Sequence, residues 1–118
     1  DQSNGVFELR TYTCNKGKLD TLHDRFSNHT TKLFVKHGMT NVSYWTPFEL
    51  PESQNTLIYM IRHENRAQAK TNWTSFLADP EWKRISRKSQ KNGAILERPP
   101  ERIFLKPLDI SPNAAPGE

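Results

Sequence analysis

This chain of 118 residues has one cysteine, five scattered glycines and no long apolar run. Each scarcity removes a class of function. With Cys14 alone, no intramolecular disulfide can form and no zinc-finger spacing exists. The thiol ends a strand-like segment, so it reads as a small buried or half-buried side chain. No stretch approaches the apolar length that a transmembrane helix needs. The glycines never cluster into a phosphate-cradling loop, and no Gly-x-Ser-x-Gly elbow occurs. His23, His29 and His37 are spaced by six and eight, and His63 stands apart, so no pair shares the i, i+4 helix face that metal ligation uses. Neither a metal nor another cofactor is expected.

Charge is not scarce. The formal net charge is +4. Positive residues are spread, however, and only Lys83–Lys91 is dense. The aromatics lie elsewhere, so a solvated helix face is favoured and nucleic acid is not expected as a partner. The chain starts at Asp1, which fits removal of a tag or a targeting peptide. Export is compatible with that start, and the compartment is left unassigned.

Hydrophobic periodicity supplies the elements. Residues 6–14 alternate as a strand. One face carries Phe7, Leu9 and Thr11; the other carries Glu8, Arg10 and Tyr12. A helix follows over about 18–37, with Leu19, Leu22, Phe26, Thr30, Leu33 and His37 as its stripe. Gly38 is a left-handed helix stop, and Met39 folds back on the last turn. His37 therefore reads first as a capping or packing residue and second as a catalytic one.

Residues 40–48 form a second strand, in which Val42 and Tyr44 share one face and Ser43 and Trp45 the other. Residues 56–63 read as a central strand, paired to it as a hairpin. Asn65 caps a helix over 66–78, with Ala69, Trp73, Phe76 and Leu77 buried. Asp79-Pro80-Glu81 starts another helix, which runs to about Lys91 and buries Trp82 and Ile85. Residues 94–100 are a linker and 101–108 a last strand.

The order strand, helix, strand, strand, helix, strand is the ferredoxin-like βαββαβ arrangement of an α+β fold. It predicts a four-stranded antiparallel sheet with helices on one face, forming one domain over residues 6–110. Residues 1–5 and 111–118 are expected to be flexible. The bare sheet face needs a cover, and a second copy is the simplest one. A homodimer closing a barrel-like cavity is the expected assembly.

Phe7-Glu8-Leu9-Arg10-Thr11-Tyr12, Lys36-His37-Gly38-Met39, Tyr44-Trp45 and Asp79-Pro80-Glu81-Trp82 stand in order along the chain. Gly17-Lys18-Leu19, Arg25-Phe26, Asn41-Val42, Asn55-Thr56-Leu57 and Ser111-Pro112 fall between and after them. Together they resemble the NIPSNAP family over nearly all of residues 6–112. The resemblance implies a dimeric α/β barrel without assigning an activity. Some members of that family are associated with mitochondria and vesicle traffic. Related barrels include cofactor-independent monooxygenases and haem-degrading enzymes. One departure is Ser89-Gln90, where the family often has Ser-Glu, so this chain offers no carboxylate at that position.

Facing Phe7 and Leu9 toward the helices turns Glu8, Arg10 and Tyr12 into the cavity. Arg10 can hold a carboxylate or phosphate, Glu8 can act as a base, and Tyr12 can donate to an oxyanion. Alternatively Glu8 and Arg10 only satisfy each other in a dimer interface. Trp45, Tyr59 and His37 complete the cavity-lining candidates. Two functions follow: a module binding a small ligand or a protein partner, or a cofactor-independent enzyme of the monooxygenase or isomerase type. Binding is preferred because no set of nucleophile, base and orienting group is complete.

Overall fold

The computed structural model describes residues 5–110. The expectations for residues 1–4 and 111–118 lie outside the described residues. The strands are β1 (Val6–Thr13), β2 (Thr40–Trp45), β3 (Thr56–His63) and β4 (Glu101–Leu105). They form one antiparallel sheet in the order β2-β3-β1-β4. The helices pack on one side of it. Gly5, placed in the expected flexible terminus, has φ +76°, and a Cβ there would lie 2.6 Å from the His63 carbonyl oxygen.

The expected first helix is broken in character. It comprises α1 (Leu19–Arg25), a π-helical turn (Phe26–Thr30) and α2 (Thr31–Lys36). The wide turn leaves Arg25 and Phe26 buried above it and Leu33 and Phe34 buried below it. Thr30 Oγ1 donates to the Arg25 carbonyl across the wide turn. His37 then ends the helix, and Gly38 takes φ +87°.

Strand β2 is shorter than expected and carries a bulge. Asn41 faces Ile61 and Ser43 faces Met60, so Val42 is the extra residue. Val42 therefore does not share a face with Tyr44; it is exposed. Tyr44 instead shares the helix side with Asn41, to which its hydroxyl donates.

Helices α3 (Arg66–Ala78) and α4 (Pro80–Ser89) have the expected caps. Asn65 accepts from the Gln68 amide and Asp79 from the Glu81 amide. Leu77, expected in the core, is exposed, and Asn72 is buried in its stead. The stretch expected to be only a linker anchors the chain. Ile95 is fully buried, and Leu96 bridges to Cys14. An aromatic layer of Phe26, Phe34, Tyr44, Tyr59 and Phe76 fills the space between sheet and helices. Full burial of each such side chain contributes roughly 1.5–3 kcal/mol.

Candidate functional site

A strand shows two faces, and its period does not say which is inside. In β1 the burial pattern puts Val6, Glu8, Arg10 and Tyr12 inside, against the helices. Phe7, Leu9 and Thr11 lie on the open face. This reverses the facing expected from the sequence. The reason is that the charged pair finds its partners within the layer, while the open face is itself apolar. Ile58 and Met60 of β3 and Ile103 and Leu105 of β4 lie there beside Leu9 and Phe7.

Glu8 is the centre of the inner layer and is wholly buried. Its Oε1 accepts from His63 Nε2 and from Trp73 Nε1, both at 2.8 Å. Its Oε2 accepts from Arg10 Nη1 at 3.0 Å and lies 3.8 Å from Arg102 Nη1. Burial pushes this carboxyl up, but the donors of His63, Trp73 and Arg10 outweigh it and leave it below its ordinary value. Glu8 is thus a carboxylate with both oxygens occupied.

Arg10 extends the network toward the phenols. Its Nε donates to Tyr59 Oη at 2.8 Å and its Nη2 to Tyr12 Oη at 3.1 Å. The two hydroxyls lie 2.9 Å apart. The guanidinium also sits 4.2 Å from the centre of the Trp73 ring. Burial opposes its charge, yet Tyr12, Tyr59 and Glu8 hold it above the ordinary guanidinium value. Burial pushes the Tyr59 phenol well up, so it remains a neutral hydroxyl.

Asn72 fixes the His63 tautomer. Its Nδ2 faces the Gly38 carbonyl at 3.3 Å, and its Oδ1 accepts from Gln68 Nε2. The same Nδ2 lies 3.0 Å from His63 Nδ1. His63 Nδ1 therefore accepts, and Nε2 carries the proton donated to Glu8. Three donors stabilise the charged form of Glu8 and depress its basicity, so it is a poor proton acceptor. The network holds and orients; it lacks a nucleophile and a free base.

Two openings flank the network. A groove of about 670 Å³ lies between α3 and β4. Its walls include Arg66, Lys70, Trp73, Leu77, Arg102 and Phe104. Trp73 and Arg102 touch Glu8 from its inner end, and the Arg66 guanidinium lies 4.1 Å from the centre of the Phe104 ring. At the β2 edge a second opening of about 370 Å³ is walled by Phe26, Tyr44, Trp45 and Leu57. Behind it Tyr44 and Phe26 contact Tyr59, each with ring centres 5.1 Å apart.

The structure thus brings Glu8, Arg10, Tyr12 and Tyr59 together within one chain. Their shared contacts do not require a dimer interface. Trp45 is half exposed at the second opening, apart from the charged groups. His37 is elsewhere: Nε2 meets Asp79 Oδ2 at 2.7 Å and Nδ1 meets Ser75 Oγ. With Lys36 at 2.9 Å from the same oxygen, this clasp ties the end of α2 to the start of α4. His37 and Lys36 hold Asp79 well below the usual carboxylate range.

His63, Asn72, Trp73 and Arg102 were missed as members of the site. A signal existed for two of them. His63 has the same strand parity as Tyr59, and Asn72 interrupts an apolar helix stripe. Among the described residues, no three His, Cys, Asp or Glu side chains are placed to hold a metal. No helix among them is long and apolar enough to cross a membrane.

The fold has solved counterparts. A NIPSNAP-like domain protein from Burkholderia xenovorans superposes with a TM-score of 0.78 at 19% identity, covering 97% of this chain and 94% of that one. A NIPSNAP family protein of unknown function from Agrobacterium tumefaciens gives 0.75 at 17%, covering 95% and 96%. SnoaB, a cofactor-independent oxygenase from Streptomyces nogalater, gives 0.57 at 12%, covering 91% and 96%. At these identities the likeness is one of fold. No curated protein matches the chain. The NIPSNAP family model matches residues 7–112, nearly the whole chain, and with the βαββαβ sheet already described it shows that the chain belongs to the NIPSNAP family.

Proposed function

We propose that this chain is a homodimeric binding protein for a small amphipathic anion, held in the groove between α3 and β4. The supporting observation is that Trp73 and Arg102 are groove wall and Glu8 contacts at once. A ligand there meets an apolar body of Trp73, Leu77 and Phe104. Its charged end meets Arg102, Arg66 and Lys70. The volume lies within the range of small-molecule sites. The apolar open face supports the dimer: Leu9, Ile58, Met60 and Ile103 adjoin there, and Ile103 is 58% exposed.

Enzymatic use as a cofactor-independent oxygenase rests on fold likeness to proteins such as SnoaB. The donors that hold Glu8 in its charged form make it a poor base, so binding is the preferred reading.

Calorimetric titration with dodecanoate and 2-naphthoate, beside native mass spectrometry, tests the proposal. The expected result is a dimer that takes up a carboxylate, with affinity falling about tenfold or more in Arg102→Ala, as loss of a charge-assisted hydrogen bond requires. Failure of both carboxylates to bind, or unchanged affinity in that variant, overturns the assignment of the groove.

A further inference from the structure

Arg25 is a buried cation without a carboxylate partner among the described residues. It is 7% exposed, and its Nε is buried without a hydrogen-bond partner. Its Nη1 donates to Ser89 Oγ at 3.2 Å, and its guanidinium carbon lies 4.9 Å from the centre of the Trp82 ring. Among the described residues it forms no ion pair with a carboxylate. The next residue after Ser89 is a neutral amide, and Gln90 is engaged with Ser86 and the Ile95 backbone. Burial pulls Arg25 below the ordinary guanidinium value, as expected for a charge without a counter-charge. A buried charge normally has a partner, and removing the partner is strongly destabilising.

Arg25 lies at a pocket of about 270 Å³ between the first helix and α4. The lining adds Arg84, Lys88 and Lys91 from the basic run and only Asp24 as a carboxylate. Asn28 and Ser89 add neutral polar groups. The π-helical turn begins immediately after Arg25, and such turns recur at functional positions. Four cations against one anion favour a doubly charged occupant over a singly charged one.

We propose that this pocket is a second ligand site, distinct from the α3–β4 groove, and that it takes the phosphoryl group of a small phosphate monoester. Arg25 and Arg84 offer guanidinium forks that match phosphate geometry, and Lys88 and Lys91 add mobile charge at the rim. The space exceeds that of a bare phosphate, leaving room for a short attached chain.

The test is calorimetry and thermal melting of the full chain with inorganic phosphate and glycerol 3-phosphate. Acetate and chloride at matched ionic strength are the controls. Saturable binding of the two phosphates, weakened at least tenfold in Arg25→Met, is the expected result. Methionine keeps apolar volume beneath Trp82, and a folded Arg25→Met protein makes the comparison direct. If that variant does not fold, the double variant Arg84→Ala/Lys88→Ala decides, since both residues are exposed; it should stay folded and lose at least tenfold in affinity. No saturable binding by wild type, an equal response to acetate or chloride, or undiminished affinity in the deciding variant overturns the site.

Discussion

His63 Nε2 and Glu8 Oε1 meet at 2.8 Å in a layer from which water is excluded on both sides of the contact. The two residues are 55 positions apart and come from adjacent strands. Removing the Glu8 charge also leaves the buried Arg10 guanidinium without its carboxylate, a loss of about 3–5 kcal/mol for a broken buried ion pair. Glu8→Gln should therefore lower unfolding free energy by roughly that amount, measured by urea denaturation. A loss under about 1 kcal/mol, the net value of an ordinary hydrogen bond, contradicts this picture.

Acid should destabilise the protein through the same carboxylate. The folded value of Glu8 lies below 4.5, its ordinary value, so its contribution is present above that pH. It is lost as pH falls through the folded value. Asp79, also depressed, acts in the same direction. Urea midpoints measured from pH 6 down to pH 3 should fall for wild type and fall less steeply for Glu8→Gln. Parallel curves contradict the role given to Glu8.

Trp73 contributes a ring and an N–H, and the two can be separated. Trp73→Phe keeps an aromatic face over Arg10 and removes the donor to Glu8 Oε1. The expected loss is about 1–3 kcal/mol, for a buried acceptor left short of one partner. Trp73→Ala should cost more, and it should widen the α3–β4 groove. Equal losses for the two variants show that the hydrogen bond contributes little.

Gly38 governs His63 from a distance. Its φ of +87° disfavours any side chain, and a Cβ there would lie 2.7 Å from Asn72 Oδ1. Gly38→Ala should cost about 1–2 kcal/mol from the left-handed backbone alone. It should also displace the Asn72 amide and shift the His63 imidazole resonances. Unchanged His63 signals separate the helix stop from the network.

The open face makes a prediction of its own. Ile103→Lys places a charge among Leu9, Ile58 and Met60 without touching the buried layer. If the proposed dimer forms through this face, sedimentation should show dimer for wild type and monomer for the variant, with the same far-ultraviolet spectrum. A wild-type protein already monomeric removes the second copy from the reading.

Much of this architecture was legible because periodicity and caps are local. Asn65, Asp79 and Gly38 mark helix ends through chemistry confined to a few neighbouring residues. The facing of β1 was not legible, since Phe7 and Leu9 are as fit for an open apolar face as for a core. What turns β1 over is the company of His63, Trp73 and Tyr59, which arrive from far along the chain. The π-helical turn was hidden for a similar reason: apolar spacings of three and four are compatible with a continuous α-helix. Arg25 stood out in neither charge nor spacing, because burial is a property of what packs around it.

The alternation of β1 has a consequence for how the chain avoids misassembly. Both faces of that strand can contact apolar surface, so hydrophobicity alone discriminates weakly between the correct pairing and one displaced by a single residue. Such a displacement sends Glu8 and Arg10 outward and leaves His63 and Tyr59 facing hydrocarbon. The penalty falls on the wrong pairing, so the ionic layer works as a proofreading device for the central strand.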